Sequence, residues 1–264
     1  MEKGTLSTRW FEMKAKEKIV MFWSGGKDSA MSLHKILQSG DYEVACLITT
    51  VNEHYQRISM HGVRQSLLEK QAAAIDIPLE IMFVSQRSSN EEYDKKMKNI
   101  LSHYKKSGVE AVVFGDIFLE DLRRWREERL TAIGMKGLFP IWKLDSRQLL
   151  EEFISLGFKS VICCVNDAYL DKDVVGCLID PEFARTLPSQ VDPCGENGEY
   201  HSFVFEGPVF KQKLSIRVGE KIYRPVEQTH PGRSVSSGGG HDGSGKPQTR
   251  GFWFCDLIPE EDHE

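Results

Sequence analysis

No stretch of this 264-residue sequence is apolar for the roughly 20 residues that a membrane-spanning helix needs. The first residues are charged throughout and lack the apolar core of a signal peptide, so a cytoplasmic location is expected. There is no basic excess either. A net charge of −5 argues against a general nucleic-acid binder. The six cysteines, Cys46, Cys163, Cys164, Cys177, Cys194 and Cys255, form no C-x-x-C pair, which disfavours a zinc knuckle. Several lie in apolar, strand-like runs, where cysteine acts as a small core residue, and reduced thiols are expected. No internal repeat is evident. Gly240 to Pro247 approximates a Walker loop by spacing, but Pro247 replaces the required hydroxyl residue and no strand precedes it, so the match is a coincidence.

What is present is alternation. Apolar runs at 18–23, 43–50, 79–84, 111–115 and 138–142 are each followed by a helical pattern, at 28–39, 62–75, 90–107, 119–133 and 146–156, and another strand is expected at 158–165. Near-continuous apolar strands separated by helices specify an α/β fold, a doubly wound parallel sheet covered on both faces. From about residue 165 the helical period fades. Residues 203–205, 213–218 and 222–223 read as strands, the last two as a hairpin across Gly219-Glu220, and 251–257 as a strand of the same second sheet. The expected organisation is a leader at 1–17, a main domain at 18–140, a smaller domain from 141–227 and 251–264, and a flexible Gly/Ser-rich loop at 228–250.

The chain is organised around 19–29. Five apolar residues run into Ser24-Gly25-Gly26-Lys27-Asp28-Ser29, and a helical pattern starts at once. Two adjacent glycines let the backbone curl closely round a ligand. Unpaired amides and the dipole of the helix favour an anion there. Ser24 and Ser29 add hydroxyls, Lys27 a positive charge, and Asp28 a carboxylate able to hold Mg²⁺ against phosphate oxygens. The plainer reading is a tight turn with a capped helix; the six-residue motif after a buried strand favours phosphate. In this topology ligands sit beyond the carboxyl ends of the strands. Ser24, Thr49, Thr50 and Asp116 all fall there, and Thr49, Thr50 and Val51 fall where an adenine ring would rest.

Three further groups carry polar chemistry. Gly115-Asp116 and the charged helix after it offer Asp116, Asp121 and Arg124 for Mg²⁺, phosphate or substrate, although most charges in that helix read as i,i+4 pairs such as Glu120–Arg124. His61-Gly62-Val63-Arg64 could bring a cation to a polyphosphate or an acceptor, or be merely solvated. Cys194-Gly195-Glu196-Asn197-Gly198-Glu199-Tyr200-His201 could be an acceptor pocket, a proton-transfer site, a polar turn or, less favoured, a zinc site. If that segment is extended, Glu199 and His201 share a face.

Ser24 to Ser29 resembles the PP-loop of the N-type ATP pyrophosphatases, which cut ATP between the α and β phosphates. With His61 to Arg64, Gly115-Asp116-Ile117 and Cys194 to His201 added, residues 18 to about 210 resemble the diphthine–ammonia ligase family. The resemblance implies a HUP-type nucleotide domain followed by a small α+β domain. It implies adenylation of the diphthine carboxylate on elongation factor 2 by ATP with Mg²⁺, then displacement of AMP by ammonia. Ser24, Gly25, Gly26, Lys27, Asp28 and Ser29 would carry over as the ATP loop, with Asp28 as the metal carboxylate, and Glu196, Asn197, Glu199 and His201 as the acceptor side. No segment is left over for a glutaminase, so free ammonia is the expected donor, and a homodimer is compatible with all of this. Two alternatives stay open. A thiolase on the same scaffold would need a persulfide cysteine, for which only Cys194 is placed. A nucleotide sensor would not need the second acidic cluster.

Overall fold

The computed structural model describes residues 15–58, 61–85, 88–226 and 249–260. The chain begins with β1 (Glu17–Phe22), α1 (Lys27–Ser39), β2 (Tyr42–Asn52), a two-residue β3 (Arg57–Ile58) and α2 (Gln65–Ile75). Then follow β4 (Leu79–Val84), α3 (Asn90–Lys106), β5 (Ala111–Val113), α4 (Glu120–Thr131), β6 (Lys136–Leu138) and α5 (Ser146–Ser155). The five longer strands of this half pair in parallel in the order β4-β2-β1-β5-β6, and β3 adds antiparallel to the end of β2. The chain winds outward from β1 to β4 and then returns to the other side of β1. The reversal falls between β1 and β5, which opens a crevice at their carboxyl ends.

The period of two along β1 explains why the sheet is covered twice. Ile19, Met21 and Trp23 point to a core shared with Ala30 and Leu33 of α1 and Leu67 and Leu68 of α2. Val20 points the other way, to Met97 and Leu101 of α3 and Leu130 of α4. Ile19, Val20 and Met21 are fully buried, and each such side chain stabilises the fold by about 1.5–3 kcal/mol.

The second sheet is antiparallel, in the order β8 (Tyr200–Glu206), β7 (Lys159–Asn166), β10 (Gly251–Pro259), β9 (Ile216–Pro225). Seven of the eight β7 residues are buried. Its core is continuous with the α1–α2 face of the first sheet. The fold is thus a doubly wound, mostly parallel α/β sheet joined to a smaller C-terminal α+β unit.

Three local expectations are corrected. Gly219-Glu220 is not a hairpin turn: β9 runs straight through it, and the two residues stand opposite the single Asp256 of β10 as a bulge. Where the helical period is expected to fade, the chain holds a 3₁₀ turn (Lys172–Val174) and α6 (Pro181–Thr186), whose first turn is capped by Asp180 accepting from the Phe183 amide at 2.8 Å. The strand expected at 138–142 lies earlier, at Lys136–Leu138. All six cysteines are free thiols, and five are buried. Most of the expected leader and nearly all of the 228–250 loop lie outside the described residues. Among the described residues no helix is long and apolar enough to cross a membrane.

Candidate active site

A cleft of about 400 Å³ opens at the β1/β5 crevice, with the Ser24–Ser29 loop as its floor. Gly25 takes φ +76°, a left-handed conformation that favours glycine. A Cβ on Gly26 would meet the Ser202 carbonyl at 3.0 Å, so any larger residue there would push against β8. Gly26 is the N-cap of α1 and offers no side chain to its first amides. Ser24 Oγ accepts from the Gly26 amide at 3.2 Å, Ser29 Oγ donates to the Gly26 carbonyl at 2.8 Å, and Ser202 Oγ accepts from the Lys27 amide at 3.2 Å. Behind the loop, Gln71 of α2 accepts from the Trp23 indole at 2.9 Å and donates to the carbonyls of Gly25 at 3.0 Å and Val204 at 2.6 Å.

Lys27 is buried. Its ammonium donates to both Asp28 oxygens, at 2.9 and 2.7 Å, and to the Cys194 carbonyl, and it lies 5.1 Å from the centre of the Tyr200 ring. Burial alone would lower its pKa, but the attraction of Asp28 more than offsets this and keeps Lys27 charged.

The second unit forms the facing wall. Glu196 accepts from the Ile117 amide at 2.8 Å, so it ties the C-terminal segment to the loop after β5. Burial pushes its carboxyl up to about 7, against the opposing pull of that amide, with the nearby Asp28 and Asp116 adding to the rise. His201 stacks on His61 with ring centres 4.5 Å apart and planes 21° apart. Burial, then the positive charge of Lys27, holds His201 down to about 4. His61 is lowered by burial, His201 and Lys27 in that order. Both imidazoles are therefore neutral near pH 7.

Along the other rim, Thr49 and Thr50 of β2 line the cleft with Phe22, Ile48 and Phe114, and the Thr49 hydroxyl is buried without a partner. Asp116 also lines the cleft, paired at 2.7 Å with Arg126 of α4, whose guanidinium lies 4.2 Å from the centre of the Phe114 ring.

Of the residues singled out from sequence, Ser24, Gly26, Lys27, Asp28, Ser29, Thr49, Thr50, His61, Asp116, Glu196 and His201 line this one cleft. The others do not. Gly25 shapes the loop from behind. Val51 is wholly buried in the sheet. Arg64 points to Asp256 of β10, at 2.9 Å. Asp121 and Arg124 pair with each other at the exposed surface, and Glu120 pairs with Lys143 rather than with Arg124. Cys194 contributes its carbonyl; its thiol is buried, donates to the Ser146 carbonyl at 3.2 Å, and is pushed up by burial. Asn197 is exposed, and its amides serve Glu199. Glu199 is itself buried beneath the wall, accepting from the Asp192 amide at 3.1 Å and the Asn197 amide at 3.0 Å, so it braces the turn and does not face the cleft. Sequence reasoning missed Gln71, Arg126 and Ser202. Gln71 carried the clearest signal, a lone amide side chain on the apolar face of α2.

Comparison with known proteins fits this picture. A family model described as diphthamide synthase N-terminal domain matches residues 17–137, and one described as diphthamide synthase C-terminal domain matches residues 145–230. The chain is 25% identical over 227 residues to a protein of Schizosaccharomyces pombe named diphthine–ammonia ligase, covering 78% of this chain but only 37% of that protein. It is 25% identical over 235 residues to the Mus musculus protein of that name (79% of this chain, 86% of the relative) and 27% identical over 226 residues to that of Danio rerio (78% and 88%). The two matched models lie end to end over most of the sequence and take in the floor and the wall of the cleft alike, and the chain belongs to the diphthamide synthase family.

Proposed function

We propose that this protein is an ATP-dependent amide-forming ligase acting on a diphthine-like carboxylate. The observation that carries the reading is the start of α1: a glycine N-cap that sets no side chain of its own over the first turn, and a buried, charged lysine, faced by Glu196 across one cleft. A triphosphate fits that floor as an anion fits the start of a helix, with the base against Thr49, Thr50 and Phe114. An acceptor carboxylate oxygen attacks the α-phosphorus. The bond to the β-phosphate oxygen breaks, and pyrophosphate leaves with the electron pair. The dipole of α1 and the charge of Lys27 would stabilise the departing charge. Ammonia then attacks the acyl carbon, AMP leaves, and the nitrogen gives up a proton. Glu196, with its carboxyl near neutrality, is matched to accept it.

Mg²⁺ fits on limited terms. Among the described residues no group of three or more His, Cys, Asp or Glu could hold a metal ion. Asp28 would therefore be its protein carboxylate, with phosphate oxygens and water completing the shell, a common arrangement for this ion. When bound, it would offset charge on the phosphates. A thiolase is disfavoured because Cys194 is buried and its thiol is held protonated.

The test is to incubate the protein with ATP, Mg²⁺, ammonium chloride and diphthine-bearing elongation factor 2. AMP and pyrophosphate should form in equal amounts and depend on both acceptor and ammonium. ADP and orthophosphate as products, or turnover indifferent to ammonium, would sink the reading. Turnover that needs ammonium and a different carboxylate would keep the ligase and replace the acceptor.

A further inference from the structure

The stacked pair His61 and His201 is more elaborate than a wall requires. The two rings come from separate units, one from the segment between β3 and α2 and one from β8. Each keeps a buried ring nitrogen without a hydrogen-bond partner, Nδ1 in His61 and Nε2 in His201. Such atoms cost stability unless something else uses them. Both rings line the cleft, and a Cβ on Gly26 would lie 3.2 Å from His61 Cε1, so the pair borders the first amides of α1.

The charges around the pair are unevenly distributed. Lys27 bears on both rings. Asp28, Glu196 and the Asp116–Arg126 pair line the same cleft, and Arg57, Arg64 and Asp256 flank the His61 segment. No carboxylate is paired with either ring among the described residues, so the negative charge that would support an imidazolium has to come from outside. A polyphosphate on the α1 amides brings several such charges.

We propose that His61 and His201 form a subsite for the terminal phosphates of the nucleotide and that the pair takes up a proton as the polyanion enters. This rests on the ATP reading above and adds a role that reading does not need. It makes nucleotide affinity fall as pH rises, up to about tenfold per pH unit for one linked proton.

The probe is the magnesium complex of α,β-methylene-ATP, which cannot be cleaved between the α and β phosphates. Its binding is followed by calorimetry near pH 7 in buffers of different ionisation enthalpy. Wild type should take up about half to one proton more than the His61→Gln/His201→Gln double variant, a difference in which any proton change on the ligand cancels. Long-range ¹H–¹⁵N spectra of the wild-type imidazoles, which need no substitution, should move towards the doubly protonated pattern on addition of the analogue. Binding with no change in those spectra and equal proton counts would overturn the proposal while leaving the ATP reading in place. No binding of the analogue at all would overturn both.

Discussion

Glu196 and Glu199 sit three residues apart and have opposite lives. Glu199 is buried with its oxygens accepting from backbone and side-chain amides of its own turn. Glu199→Gln puts an amide nitrogen where an acceptor is needed, at a cost of about 1–3 kcal/mol. A fall in melting temperature of roughly 2–10 °C is expected, with little change in nucleotide affinity, by differential scanning fluorimetry and calorimetry. Glu196 instead faces the cleft with a carboxyl raised from 4.5 to about 7. In the folded state its protonated form is favoured, so its contribution to stability is complete below pH 4.5 and is lost as pH rises through 7. Glu196→Gln should remove that slope from melting temperatures measured across pH 4.5 to 7. Its ionised form is the useful base, so acceptor-dependent turnover in wild type should climb with an apparent pKa near 7, and the variant should lose that climb. His201 has the reverse sign. Lowered from 6.5 to about 4, it supports the fold above pH 6.5 and withdraws that support as the solution is acidified through 4. His201→Gln should flatten the acid limb of the stability curve.

At the scale of elements, β10 sets the site from a distance. Asp256 stands where β9 bulges, and it accepts from Arg57 and Arg64 at 2.9 Å each, on either side of the His61 segment. Phe254 packs so closely that a Cβ on Gly62 would lie 2.7 Å from its ring. Asp256→Ala should cost about 1–2 kcal/mol, because these groups are only partly screened by solvent. It should also weaken nucleotide binding by loosening His61, which titration calorimetry with ATP and Mg²⁺ can measure. The first half of the fold was readable because its strands are apolar without interruption and its helices keep a clean period; β1, the glycine loop and α1 are the plainest case. The second half was less so, for physical reasons. Every residue of β9 is partly or fully exposed, so it has no buried face to mark it, and its glycine looks like a turn. That glycine serves close approach: a Cβ on Gly219 would meet the Asp256 carbonyl at 3.1 Å. The cleft was legible where chemistry and sequence neighbourhood coincide, as at 24–29. It was not legible for Arg126 or Gln71, whose partners lie 10 and 48 residues away.

For the whole molecule, the two sheets share one core, so neither is a free-standing module. The strand β10 lies between β7 and β9 and is beyond the span of the matched family models. A chain ending at residue 226 would lose the buried Cys255 and Leu257 side chains from the core and expose the β7 edge that β10 covers. Loss of cooperative thermal unfolding and aggregation on purification are expected, checked by circular dichroism and light scattering against the full chain. The bracing of the glycine loop by Gln71 and by the Val204 amide, which donates to the Gly25 carbonyl at 2.9 Å, has a further consequence. A floor held from below by α2 and β8 has its curvature set in advance, so a ligand settling on it forfeits little ordering entropy. Whatever travel accompanies turnover then falls to the rim rather than to the floor.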